Sequence, residues 1–287
     1  MNVLITGATG NIGTEVLKAL SQMDHPLNIF AGVRDITLHN KKPEPFKAKP
    51  ILFDFTNTET FKNAINNMDV LFLLRPPQLS EVKKYFEPLI DTVKASSIKH
   101  IVFLSVQGVE KSKWIPHHKI EQLILASRIP FTFLRPAYFM QNFTGTLHQD
   151  LVKDNRIFLP AGSAKFTVVD VVDIGEVIAT ILNDIDNHSG KSYELTNNEQ
   201  LSFKEMAAKL SNGLNREINY ISPNLVNFYL TKRRQKMPGA LILVMVMLHY
   251  LPRFQAVPKI TNCIKNILGK KPRSFDQFVV ENKVDLT

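Results

Sequence analysis

The sequence has little of what builds a disulfide-stapled, membrane-spanning or metal-centred protein. Its one cysteine, Cys263, excludes an internal disulfide and fits a reducing compartment. Lacking a companion thiol, it reads as a packing residue in a helical stretch. The longest apolar run, Ala240 to Leu248, is about half of what a bilayer span needs. A strand-like run occupies the positions where a secretory leader would place charge and then a hydrophobic stretch, so no signal peptide is expected. The sequence shows no repeat period and no low-complexity tract. Neighbouring histidines at 117 and 118 point in different directions on a helix and have no cysteine partner, which argues against a metal site. A cytoplasmic protein without a membrane partner follows as the expectation.

What is present is ordinary in composition, with 44% hydrophobic and 21% charged residues in 287. That length holds one large α/β domain, or a core with a smaller cap. The formal charge of +9 favours anions, phosphorylated cofactors among them. Nucleic acid is not expected as a partner. The densest basic runs, Lys232 to Lys236 and Lys270 to Arg273, are short, and no recognition motif accompanies them.

Residues 2–13 are the most informative stretch. Val3, Leu4 and Ile5 lead into glycines at 7, 10 and 13, and an amphipathic pattern follows at Ile12, Val16, Leu17 and Leu20. Strand, glycine-rich turn and helix form a phosphate cradle: glycine lets the main chain approach a pyrophosphate, and the helix N-terminus offers free N–H groups. The first two glycines are one residue further apart than in the G-x-G-x-x-G fingerprint, so the flanking strand and helix carry the argument. Gly7, Thr9, Gly10, Asn11, Ile12 and Gly13 are the candidate cofactor contacts.

Strands are predicted at 2–6, 28–33, 50–53, 69–74, 100–104 and 131–135, and helices at 11–23, 57–66, 79–97 and 117–128. Continuous apolar strands such as Val70-Leu71-Phe72-Leu73-Leu74 require a sheet covered on both faces. Crossovers of this length imply right-handed βαβ units, hence a Rossmann-type doubly wound parallel sheet. The segment 36–49 reads as a solvated loop. After Pro136 come a predicted helix 174–184 with Asp173 as its N-cap, a strand 192–196, a helix 202–213, a short strand 218–221 and further helix. The expected division is a dinucleotide-binding core over 1–155 and, over 156–287, a mainly helical substrate-binding cap with segments returning to the core.

Candidate site residues stand at the predicted strand ends. Arg34 follows the second strand directly and suits the extra phosphate of NADP, whereas Asp35 would suit the ribose hydroxyls of NAD. NADP is favoured. Asp54 either meets the adenine edge or caps the next helix. Arg75 contacts phosphate or lies at the surface, and Pro76-Pro77 turn the chain away. Ser105 ends the fifth strand. His117 opens the helix beside the site, as a proton donor or a nicotinamide-ribose contact.

Taken in order, Gly7-Ala8-Thr9-Gly10-Asn11-Ile12-Gly13, Val33-Arg34, Leu104-Ser105, Ile129 to Pro136, Phe139-Met140-Gln141-Asn142, Val169 to Gly175 and Leu268 to Phe275 resemble the NmrA-like group of atypical short-chain dehydrogenases/reductases. That group includes quinone reductases, triphenylmethane-dye reductases and isoflavone-reductase-like enzymes. The resemblance implies NAD(P)H at the glycine turn and a small-molecule substrate between core and cap, with Tyr138, Phe139, Met140 and Asn142 helping to form an apolar pocket. One departure stands out: none of the six tyrosines has lysine four residues later, so the Tyr-x-x-x-Lys pair of short-chain enzymes is missing. His117 falls where isoflavone-reductase-like members carry lysine. This disfavours alcohol dehydrogenation and sugar-nucleotide chemistry and favours a quinone-like or conjugated acceptor. The competing expectation is a dinucleotide-binding redox sensor, the role of the group's fungal namesake. Oligomer formation is left open.

Overall fold

A computed structural model describes residues 1–40 and 48–287. Two compact units divide the chain. The first comprises Met1–Pro136, Val171–Leu195 and Cys263–Lys270; the second comprises Ala137–Asp170, Thr196–Asn262 and Lys271–Thr287. The expected division at 155/156 therefore lies inside the second unit.

The first unit is built on β1 (Asn2–Ile5), α1 (Asn11–Ser21), β2 (Asn28–Val33), α2 (Ile36–Asn40), β3 (Lys49–Leu52), α3 (Glu59–Ile65), β4 (Val70–Leu74), α4 (Val82–Tyr85), α5 (Glu87–Lys94), β5 (His100–Leu104), α6 (Pro116–Ser127) and β6 (Phe131–Pro136). A seventh strand, Lys191–Leu195, pairs with β6. The sheet order is β3-β2-β1-β4-β5-β6 followed by this strand, and every pairing is parallel. This is the doubly wound fold expected from the apolar runs, with its order reversing between β1 and β4. Ligands of such sheets bind beyond the strand ends at that reversal. Its central strands are mainly apolar because both faces are covered: all five residues of β5 are buried.

Three local expectations need correction. The stretch 36–49 is not all loop, since 36–40 is helical and Lys49 opens β3; the rest of that expectation, at 41–47, lies outside the described residues. The predicted helix 79–97 breaks into α4 and α5 at Phe86, because Pro88 has no N–H to give to the preceding turn. Asp173 is buried in the first turn of the helix Val171–Asn183, two residues inside it, and is not its N-cap.

Helix Val171–Asn183 packs against α1 at Gly175, where an added Cβ would come within 2.7 Å of the Glu15 carbonyl carbon. Close helix contact thus explains the glycine in that sequence motif.

The second unit has its own core, including Met140, Phe143, Phe203, Phe228, Phe275 and Phe278. Its strands form two small sheets: Gln200–Ser202, Lys165–Val169 and Tyr138–Phe139 in one, and Asn219–Ile221 beside Arg156–Phe158 in the other. Helices include Phe203–Leu214, closed at its start by a Ser202–Glu205 capping box. The helices Leu225–Arg234 and Gly239–Tyr250 pack as a pair.

Candidate functional site

The site begins where β1 ends. The Thr6 hydroxyl donates to the Phe72 carbonyl at 3.0 Å and accepts from the Leu74 N–H at 2.9 Å, pinning β1 to β4 at the reversal point. Sequence reasoning passed over Thr6; a hydroxyl closing an apolar strand before glycine was the signal. Gly7 follows with φ +65°, and a Cβ there would collide with the Leu74 side chain. The Gly10 N–H donates back to the Gly7 carbonyl at 3.0 Å, tightening the turn. At Gly13 a Cβ would overlap the Gly7 carbonyl oxygen and lie 2.6 Å from the Ala8 Cα, so this position seats α1 against the turn.

The mouth of the turn is open. Thr9, Gly10 and Asn11 are exposed, while Ile12 is buried at 6% and presents only backbone. Gly10 is the N-cap of α1, no side chain caps the helix, and its first turn has no acidic residue. The leading N–H groups are thus left for an external acceptor, at the end of the helix where positive charge accumulates. A negatively charged, multi-oxygen ligand suits that arrangement.

Beyond β2, Arg34 is exposed and has no hydrogen-bond or ion-pair partner among the described residues. Asp35 is engaged: its Oδ1 accepts the Leu38 N–H at 2.9 Å and closes the start of α2. Asp54 is engaged too. Its Oδ1 accepts from both the Thr56 N–H and the Thr56 hydroxyl at 2.8 Å, shaping the turn after β3. It does not cap α3, whose N-cap is Thr58.

The ends of β4 and β5 meet the start of α6. Arg75 is largely buried, and its Nη1 donates to the carbonyls of Pro76, Pro77 and Leu79 at 3.0–3.1 Å. Its Nε donates to His117 Nε2 at 3.3 Å. Arg75 is therefore committed to bracing the double-proline turn, and burial lowers its pKa from the usual arginine value. The same pocket holds the His117 pKa down to about 3, first through burial and then through the Arg75 charge. At neutral pH the ring is uncharged, and because Nε2 accepts from Arg75, the ring proton sits on Nδ1. His117 is thus uncharged at neutral pH, with Nδ1–H as its one ring donor.

Ser105 follows β5 and is 2% exposed. Its backbone N–H donates to the Leu134 carbonyl at 2.7 Å, yet its Oγ has no partner among the described residues. A buried hydroxyl without a partner costs about 1–3 kcal/mol, which a ligand's polar group would recover. The glycine cradle, the Arg75–His117 pair and Ser105 thus follow three adjacent central strands, β1, β4 and β5, at the carboxyl end of the sheet.

Position of α6 is secured from behind. Arg135 on β6 donates from Nε to Glu121 Oε1 at 3.1 Å and from Nη2 to Oε2 at 2.7 Å, and Glu121 is 3% exposed. This two-pronged pair holds the helix that carries His117. Nothing in the local spacing of residues 121 and 135 announced it.

The four pocket candidates lie in the second unit. Met140 is fully buried in that unit's core, so it packs instead of lining a pocket. Tyr138 is half-buried, with its hydroxyl 3.1 Å from His249 Nε2 and its ring against Phe166 and Phe203. Since His249 Nδ1 donates to the Met245 carbonyl at 2.6 Å, Nε2 accepts and the tyrosine donates. Phe139 and Asn142 are half-buried.

Every test of fit favours a dinucleotide: a cradle that Cβ atoms would fill, an uncapped helix start and an orphaned hydroxyl two strands away. Comparison with known proteins agrees. The chain is 30% identical over 283 residues to "Prestalk A differentiation protein A" of Dictyostelium discoideum, covering 98% of this chain and 92% of that one. It is 26% identical over 285 residues to "NAD(P)H azoreductase" of Xenophilus azovorans, covering 96% of each. Among solved structures, the NADPH-dependent quinone oxidoreductase QOR2 of Escherichia coli, complexed with NADPH, superposes with a TM-score of 0.86 at 18% identity, covering 98% of this chain and 99% of that one. Residues 1–241 match the NmrA-like family, and the chain belongs to it.

Proposed function

We propose that this protein is an NAD(P)H-dependent reductase acting on a quinone-like or other conjugated electrophilic acceptor, with NADPH preferred. The observation that carries the reading is the open, uncapped glycine cradle at the reversal point of the sheet. The backbone of Gly7 to Gly13 would hold the pyrophosphate, and Arg34 the adenosine-side phosphate, since Asp35 is occupied with α2. Ser105 Oγ would satisfy the nicotinamide side. When bound, the reduced nicotinamide supplies a hydride, and the acceptor takes that hydride and one solvent proton.

The chain's own residues set the acceptor class. Tyr-x-x-x-Lys is missing, and His117 is neutral, its one ring proton placed on Nδ1 by the Arg75 bond to Nε2. The site therefore positions without supplying strong acid, which suits acceptors whose reduced form is a stabilised anion. A second reading, a cofactor-binding sensor, draws support from the relative named for a differentiation role. An acceptor panel separates the two. Turnover of NADPH with quinones and conjugated dyes, and none with simple ketones, supports the reductase. Tight NADPH binding without turnover on any acceptor supports the sensor.

A further inference from the structure

Helix Gly239–Tyr250 in the second unit is apolar on every side, yet only one side is used. Ile242, Met245 and His249 turn into the unit's core at 0–3% exposed, while Leu241, Leu243, Val244, Met247 and Leu248 are 41–58% exposed. A surface helix ordinarily places polar residues on that outer arc. Exposed Val226 and Leu230 on the adjoining helix, and Leu251 and Phe254 just beyond Tyr250, extend the apolar character.

Charge along this stretch of sequence is one-sided. No aspartate or glutamate lies between Glu217 and Asp276, while ten lysines and arginines do, of which Lys270 and Arg273 pair elsewhere with Glu176 and Glu281. Lys232 is buried against Asp150. Arg233, Arg234 and Lys236 before the apolar helix, and Arg253 after it, are exposed and have no ion-pair partner among the described residues.

We propose that this face docks on the surface of a lipid bilayer bearing anionic headgroups. The apolar arc enters the headgroup–acyl boundary, and the flanking cations meet lipid phosphates. Twelve residues rise only about 18 Å, so the helix lies in the interface and does not cross it. Tyr229, Tyr250 and Phe254 supply the aromatic groups that such a boundary favours. The expectation of no membrane partner rested on the length needed to span a bilayer, a limit that does not apply to a helix lying flat. A second copy of the chain fits less well: a two-fold contact would bring the basic ends together with no carboxylate in the stretch to pair them. The proposal stands independently of the redox reading.

Vesicle sedimentation of the full-length protein tests it. Vesicles of phosphatidylcholine with phosphatidylglycerol should bind at least tenfold more protein than phosphatidylcholine alone, and high salt should reverse the difference. Arg234→Glu with Lys236→Glu should lower binding by about tenfold or more, at roughly fivefold per lost cation. Leu243→Ser with Met247→Ser should lower it comparably, and both pairs should melt as wild type because all four side chains are exposed. Absence of binding to anionic vesicles, equal binding to neutral ones, or folded variants that bind as wild type would each overturn the proposal. So would a concentration-dependent dimer that Leu243→Ser with Met247→Ser converts to monomer while vesicles capture nothing.

Discussion

Replacing Arg34 by glutamate should separate the two pyridine nucleotides. The guanidinium is exposed and has no partner among the described residues, so it loses no contact with them on substitution, whereas Asp35 is held by the Leu38 N–H. A charge-assisted contact to phosphate contributes about 1.5–3 kcal/mol, which corresponds to roughly 10- to 150-fold in dissociation constant. Arg34→Glu should therefore weaken NADPH by that factor or more, since the new carboxylate also repels the phosphate. NADH has no phosphate there and should change by no more than about fivefold, the range of an exposed charge. Thermal stability should hold within about 0.5 kcal/mol. Fluorescence titration of both nucleotides, alongside a melting curve, gives all three quantities. Equal losses for NADPH and NADH would refute the assignment of Arg34. Asp35→Ala is the companion experiment: losing a cap costs about 1 kcal/mol of stability with little effect on NADH, and the reverse pattern would mean that Asp35 reads the ribose.

Other outcomes follow from the same geometry. Gly13→Ala should lower both stability and NADPH affinity, by about 1–3 kcal/mol from overpacking, whereas Gly10→Ala, whose Cβ lies 3.4 Å from the Gly7 carbonyl oxygen, should lower affinity alone; melts that do not distinguish the two would contradict the turn's packing. Arg135→Met strands a buried Glu121 and should cost about 3–5 kcal/mol in urea denaturation, with Arg135→Met plus Glu121→Leu recovering most of it; a double variant no better than the single would remove the pair from the account. Burial lowers the pKa of His117 to about 3 and those of His100 and His249 to about 4. Unfolded histidine titrates near 6.5, so the unfolded chain binds more protons below that pH. Stability should be full above about pH 6.5 and fall toward pH 4, by up to about 1.4 kcal/mol per pH unit for each histidine, and a urea midpoint flat across that window would contradict the burial of these rings.

The core sheet was legible because β1, β4 and β5 carry continuous apolar runs at 3–5, 70–74 and 101–104, as a sheet covered on both faces requires. The glycine turn was legible for a related reason: within seven residues Gly7 and Gly13 each meet a steric demand, and Gly10 stands at the open helix start. Of the small sheets of the second unit, the strand at Asn219–Ile221 was legible and its partners were not. Arg156–Phe158 finds its partner at Asn219–Ile221, and short strands whose pairing is that distant leave no periodic trace. Site polarity divided in the same way. Arg34 could be placed by its position at a strand end, but the commitment of Arg75 to three carbonyls and His117 depends on how the double-proline turn folds back. Burial of His117 beside Arg75 keeps its ring neutral, and no local spacing encodes that. Met140 sits in a motif that suggested a pocket, and tertiary packing took it into the core.

The most direct measurement is the rate of NADPH consumption with a simple quinone, using NADPH and NADPH deuterated at the transferring C4 position. The account predicts turnover that saturates with quinone and is slower with the deuterated cofactor. NADPH that binds stoichiometrically at the glycine cradle, yet is consumed by neither quinone nor conjugated dye, would contradict it.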